Sequence, residues 1–212
     1  MHITQLASFN ASDITIEAQE QLYQGFVHVE RISLRHRLFQ TLSSSANVQD
    51  ELYTPLISRE LIRRKEAAGV LLYDDTQQKF ALIEQFRIGA IRDQDSPWQL
   101  EIIAGLLDGD ESAESCIRRE CYEESGCEVD QLEHLFSFYP SAGACDEIFH
   151  LYSANVNLPL EGGIFGLAEE GENIKLHLIE YTELNSLLHS GRLCNAAVIM
   201  ALQWLKQHLL TR

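Results

Sequence analysis

Between Gly105 and Cys127 the chain reads GLLDGDESAESCIRRECYEESGC, and no other segment restricts its fold and chemistry so tightly. Glu120, Glu123 and Glu124 are spaced i, i+3, i+4, so on a helix the three carboxylates project from one face. Like charges placed this way repel by roughly a few tenths of a kcal/mol per pair unless a cation sits among them. A hard divalent ion with oxygen ligands answers that need. Mg²⁺ in particular is held by one or two carboxylates together with substrate phosphates. The segment therefore reads as a metal and phosphate site carried on a helix. That helix is predicted from Ala113 to Ser125, with Ser112 or Asp110 as its N-cap and Gly126 as a left-handed C-terminal residue. Ala113, Ile117 and Cys121, with Cys116 alongside, form its apolar stripe.

The residues around the helix have readings of their own. Gly105 ends a strand and can take φ > 0, which would let backbone approach a metal or phosphate closely. Glu120 and Glu124, one turn apart, are the foremost metal-ligand candidates. Glu123 is either a further ligand or the i, i+4 ion-pair partner of Arg119. Glu111 either supplies negative charge at the helix N-terminus or orients Arg119. Farther along, GLAEEGENI at 166 to 174 offers Glu169, Glu170 and Glu172 in a Gly-containing loop, and nothing local ranks them. Arg87, just after a predicted strand, presents a charged planar fork suited to phosphate. Cys145 has no paired base in view for a nucleophilic role. His28, His36, His150 and His177 show no ligand spacing and read as structural.

Gly105, Glu111, Arg119, Glu120, Glu123, Glu124 and Gly126 fit the pattern G-x5-E-x7-R-E-U-x-E-E-x-G-U, with U apolar, which resembles the signature of the Nudix hydrolases. Cys121 and Cys127 stand at the U positions, where free cysteine packs as a small hydrophobe. Beyond the signature, the chain apart from roughly residues 40 to 56 is similar to the bacterial ADP-ribose pyrophosphatases of that family. RHRLF at 35 to 39, LIEQFRIGA at 82 to 90, PWQLEIIAG at 97 to 105, the GLAEEGENI loop and NAAVIMALQWL at 195 to 205 carry the likeness. Two departures are visible. Ser141-Ala142-Gly143 stands where the group has Ser-Pro-Gly, and the Ser-rich stretch near 40 to 56 is longer than usual.

The resemblance implies a set of roles. The Ala104 carbonyl, Glu120, Glu124 and Glu172 would hold Mg²⁺, with Mn²⁺ as a substitute, and Glu170 would be the catalytic base. Arg87 would bind phosphate, Arg59 would reach the nucleotide across a dimer, and Glu147 would contact the terminal ribose. Phe26 is a candidate for stacking on adenine. The partner chain would be a second copy, with N-terminal strands exchanged in a homodimer. The expected reaction is Mg²⁺-dependent hydrolysis of ADP-ribose to AMP and ribose 5-phosphate. The alternatives are another nucleoside diphosphate sugar as substrate, or a Nudix-like domain that senses a nucleotide without cleaving it.

Composition narrows the setting. The net charge of -16 argues against nonspecific nucleic-acid or anionic-membrane partners, because these need basic patches. No apolar run reaches the roughly 18 residues of a membrane span, and the first residues lack a secretory pattern. Five cysteines, an odd number with no CxxC, suit reduced thiols and a cytoplasmic protein.

Residues 1 to 65 read as an N-terminal β lobe, with one or two strands in 22 to 39, a polar loop at Ser43 to Asn47 and a strand from Leu56 to Arg64. That lobe has too little apolar sequence for a core of its own and is expected to pack on the main domain or on a second subunit, dimerisation being what the resemblance implies. Residues 66 to 212 read as the main domain. Strands are predicted at 67 to 73, 80 to 86, 98 to 104, 132 to 139, 147 to 156 and 174 to 180. Two closing helices follow, Thr182 to Leu188 and Asn195 to Leu210. One central helix among strands, with helices at the end, predicts a mixed α/β sandwich with helices on both faces. The resemblance implies the same α/β/α architecture.

Overall fold

The computed structural model describes residues 9–39, 52–93, 95–167, 169 and 171–211. Ser43 to Asn47 and Glu170 lie outside these. Among the described residues the chain forms eleven strands and three α-helices. They fall into two compact units, Met1–Arg64 with Ser141–Asp146, and Lys65–Pro140 with Glu147–Arg212.

The first unit is an antiparallel sheet in the order β1 (Ile14–Gln24), β2 (His28–His36) and β3 (Ile57–Arg63). β1 begins earlier than the alternation suggested. ITIEAQEQLYQ is exposed at every residue, so no buried face leaves a period-2 signature. Ile32 is the one buried apolar side chain of this unit among the described residues. Polar pairing does much of the fastening. Arg63 reaches Glu30 at 2.8 Å and Asp146 at 2.9 Å. Backbone bonds from Ile62 N–H to the Ala144 carbonyl (2.8 Å) and from Asp146 N–H to the Ile62 carbonyl (3.2 Å) join the 141–146 segment to β3.

The second unit is built on β4 (Ala67–Asp74), a strand buried at all eight residues. It turns back into β5 (Lys79–Phe86) through Asp74, whose Oδ1 accepts from the backbone of Thr76 and Gln77 at 2.8 and 2.9 Å. The two strands pair only at Tyr73–Phe80 and Asp74–Lys79. They then part to admit β6 (Trp98–Glu101), which pairs with β5, and β7 (Ile103–Leu106), which pairs with β4. The single strand predicted over Trp98 to Ala104 is thus two, because the chain changes partners at Ile102.

The remaining elements are α1 (Ala113–Ser125), β8 (Glu133–Phe138), β9 (Phe149–Asn155), β10 (Ile164–Phe165), β11 (Ile174–Glu180), α2 (Leu184–Leu188) and α3 (Ala196–Leu210). The sheet runs β10-β11-β5-β4-β9-β8, antiparallel except where β4 meets β9 in parallel.

Alternation along β4 divides the core between the two faces. Ala68, Val70 and Leu72 pack with Cys116, Ile117 and Cys121 of α1. Leu71 and Tyr73 pack with Val198, Ala201, Leu202 and Leu205 of α3. Each large apolar side chain buried this way contributes about 1.5–3 kcal/mol, so truncating Leu202, fully buried, to alanine would cost about 2–5 kcal/mol. Helix, mixed sheet, helix is the predicted α/β/α sandwich. Among the described residues no helix is long and apolar enough to cross a membrane.

Candidate active site

α1 starts and stops where its sequence says. Ser112 Oγ accepts from Ser115 N–H at 3.2 Å, and Gly126 closes the helix at φ 69° with its N–H on the Tyr122 carbonyl. These caps set the phase that turns Glu124 inward, where it is 2% exposed. Arg119 contacts three carboxylates at once. Its Nη2 meets Glu111 Oε2 at 3.0 Å, and its Nη1 meets Glu120 Oε1 at 2.7 Å and Glu123 Oε2 at 3.3 Å. Glu111 and Glu123 are thus both paired with Arg119. The Arg119 hydrogen bond holds the Glu111 carboxyl below its usual range.

Charge accumulates inside this site. Burial pushes the Glu124 carboxyl up to about 9, the nearby Glu120 and Glu172 charges add to the rise, and the Ala104 N–H and Arg87 oppose it. Glu120 is also raised, first by burial and then by Glu123 and Glu172, against the pull of Arg119. Gly105 makes this crowding possible, though not through a left-handed backbone. Its φ is not positive, and a Cβ at this position would fall on the Glu120 carboxylate. The glycine supplies room.

The donor set fits a hard divalent cation, since buried oxygens short of positive charge are what such an ion neutralises. Among the described residues no three His, Cys, Asp or Glu side chains gather closely enough to cage an ion alone. Arg119 and the Ala104 N–H (3.3 Å from Glu124 Oε2) engage the two principal carboxylates instead. Such a set suits an ion that completes its shell with phosphate oxygens.

Arg87 follows β5 as predicted and lies against Glu101, with Nε and Nη2 at 3.0 and 2.8 Å from Glu101 Oε2. Burial lowers the Arg87 pKa, and the Glu101 contact together with the charges of Glu124 and Glu172 more than restores it. Glu172 sits in the loop before β11, its Oε2 accepting from Leu167 N–H at 3.1 Å. Gly166 N–H ties that loop to the Glu123 carbonyl at 3.3 Å. The structure thus gathers Ala104, Glu120, Glu124, Glu172 and Arg87.

Among the other candidates, Glu147 belongs to the second unit, and Arg59 and Phe26 belong to the first. Glu147 is half-buried just before β9. Arg59 belongs to β3 of the first unit, exposed, with Nη1 on the Ser58 carbonyl at 2.8 Å. Phe26, in the β1–β2 turn, is 93% exposed. His150 links Ser137 and Glu66 at 2.9 and 2.8 Å, and His177 meets Glu84 at 2.9 Å. Sequence reasoning assigned no role to Glu101, although a carboxylate inside LEII four residues before Gly105 was a legible signal.

A carboxylate-lined loop, helix and loop on a mixed α/β/α sandwich defines a Nudix-type hydrolase. The model of the NUDIX domain matches residues 63–202, and the chain belongs to the Nudix family. It is 35% identical over 201 residues to the ADP-ribose pyrophosphatase of Escherichia coli, covering 95% of this chain and 91% of that one. It is 34% identical to the ADP-ribose pyrophosphatase of Haemophilus influenzae, over 96% of this chain and 91% of that protein. The GDP-mannose pyrophosphatase of Yersinia enterocolitica is 35% identical across 71% of this chain and 78% of its own length. Among solved structures, one described as an ADP compounds hydrolase shares the fold, with TM-score 0.67, 17% identity and coverage of 96% of this chain and 98% of the other.

Proposed function

We propose that this protein is a divalent-metal-dependent diphosphatase that cleaves ADP-ribose to AMP and ribose 5-phosphate. One observation carries the reading. Glu120, Glu124 and Glu172 form a cluster of carboxyl groups beside Arg87, with the Glu120 and Glu124 pKa values pushed up by burial and by one another, in a chain similar to ADP-ribose pyrophosphatases along nearly its whole length.

Glu120, Glu124, Glu172 and the Ala104 carbonyl are the residues that would hold Mg²⁺, or Mn²⁺ in its place. A strand residue directs its N–H and C=O to the same side, so the Ala104 carbonyl belongs on the side where its N–H meets Glu124. When bound there, the ion would supply charge neutralisation for the phosphates and a lowered pKa for a water. Arg87 binds a phosphate through its outer edge. Water attacks one phosphorus, the bond from that phosphorus to the bridging oxygen breaks, and Glu170 takes the proton of the attacking water. Glu170 is assigned by resemblance. The same holds for Arg59 at the nucleotide, contributed across a cytoplasmic homodimer, and for Glu147 at the terminal ribose. The net charge of -16 favours this small-molecule substrate over nucleic acid.

The similarity to GDP-mannose pyrophosphatases keeps a second reading, in which another nucleoside diphosphate sugar is the substrate. Both are tested by incubating the purified protein with ADP-ribose or GDP-mannose and excess Mg²⁺, with and without EDTA, and separating products by anion exchange. AMP formed only with metal supports the first reading. GMP formed at a higher kcat/KM supports the second, and a folded protein that releases neither nucleotide overturns ADP-ribose and GDP-mannose as its substrates.

A further inference from the structure

Glu101 lies in β6 with its side chain only 8% exposed, and a carboxylate so placed requires full pairing. Both oxygens have partners. Oε2 receives Nε and Nη2 of Arg87, and Oε1 receives Asn195 Nδ2 at 3.1 Å. Asn195 is also the N-cap of α3, its Oδ1 accepting from Ala197 N–H at 2.8 Å. That bond commits the amide oxygen to the helix and leaves its NH₂ to face Glu101. One side chain therefore caps the helix and fixes the carboxylate.

Arg87 is held along one edge only. Its side chain is 45% exposed, and among the described residues Nη1 has no hydrogen-bond partner. With Nε and Nη2 on Glu101, the Nη1–Nη2 edge remains as a two-pronged donor of the shape that phosphate accepts.

We propose that Glu101 and Asn195 are positioning residues for the hydrolysis, aiming the outer edge of Arg87 at the substrate diphosphate. The proposal rests on the reading of the site given above. It assigns Glu101 no contact with substrate or metal, and a specific electronic requirement follows. An amide at 101 can accept from Arg87, but its NH₂ then opposes the NH₂ of Asn195. Exchanging the pair restores complementarity, because an aspartate at 195 caps α3 equally well and accepts from the amide at 101.

The test measures kcat and KM for ADP-ribose, with Mg²⁺ dependence and thermal unfolding, in wild type, E101Q, R87A, E101Q/R87A and E101Q/N195D. E101Q should lose at least tenfold in kcat/KM, mainly through KM, while the Mg²⁺ concentration for half-maximal rate stays at the wild-type value. E101Q/R87A should be no worse than R87A, since residues acting through one group are not additive. E101Q/N195D should regain most of the loss. Multiplying effects in E101Q/R87A, wild-type kcat/KM in E101Q, or a folded E101Q/N195D without recovery would each overturn the proposal. If E101Q alone does not fold, recovery in the exchanged pair decides. Failure of the wild type to cleave ADP-ribose would refute the functional reading itself and is seen separately.

Discussion

Arg119 Nη1 stands 2.7 Å from Glu120 Oε1 while the Nη2 of the same guanidinium holds Glu111 Oε2 at 3.0 Å. One cation thus anchors the loop before α1 and steers a carboxylate on the helix. R119K keeps the charge but loses the planar fork. Its kcat/KM should fall at least about tenfold, the order seen when groups supporting a metal ligand are altered, and half-maximal rate should require more Mg²⁺. Rates across a Mg²⁺ series check this, and an unchanged Mg²⁺ curve would remove Arg119 from the orienting role.

Gly105 should tolerate no side chain. A Cβ there meets the Glu120 carboxylate, so G105A must push either the helix or the carboxylate aside. Overpacking of this kind costs about 1–3 kcal/mol. Thermal unfolding should show the loss, and Mn²⁺ titration followed by electron paramagnetic resonance should show weakened binding. A variant with wild-type stability and Mn²⁺ affinity would contradict the packing described.

E124Q should keep the fold and lose turnover. The amide matches the carboxyl in size and is neutral at a place 2% exposed, where burial already pushes the metal-free carboxyl up to about 9, so the metal-free variant should unfold close to the wild-type temperature. Loss of one metal-holding carboxylate should lower kcat by at least about a hundredfold, from an ion contribution of several kcal/mol. Near-normal turnover in E124Q would falsify the metal assignment.

Asp74 carries a pH signature away from the site. Burial pushes its carboxyl up, but bonds from the Gln77 and Leu158 backbone, the Gln77 side chain and Thr76 outweigh it, and the pKa lies below 3.8. A depressed pKa stabilises the fold fully above the unfolded value, and that stability is lost as pH falls from about 3.8 down through the folded value. D74N should therefore be about 1–3 kcal/mol less stable at pH 7. Urea unfolding at pH 7 and pH 3 should show that gap narrowing in acid. A gap that stays constant would rule out the ionised carboxylate as its source.

The ends of α1 were legible because Ser112 and Gly126 are local chemistry, and β4 because its run is continuously apolar. β1 was legible only in part, since its residues are exposed throughout and leave no periodicity. The partner change at Ile102 depends on how far β4 and β5 separate, which no window along Trp98 to Ala104 contains. In the site, Glu120 and Glu124 could be placed by helical spacing alone. The tie between Glu101 and Asn195 could not, because it joins residues 94 apart in sequence. Gly105 was singled out for backbone freedom, and it matters for the volume it leaves empty.

Arg63 and Asp146 are separated by 83 residues in the chain. At synthesis rates of about 5–20 residues per second, roughly 4–17 s pass between the emergence of the arginine and that of its carboxylate. During that interval β3 lacks its neighbour from the 141–146 segment, so the first unit stays unfinished while residues 65 to 140 of the second are made. A nascent chain halted before Ser141 should display β1 to β3 as a sheet still open along β3, and release of a few more residues would close it.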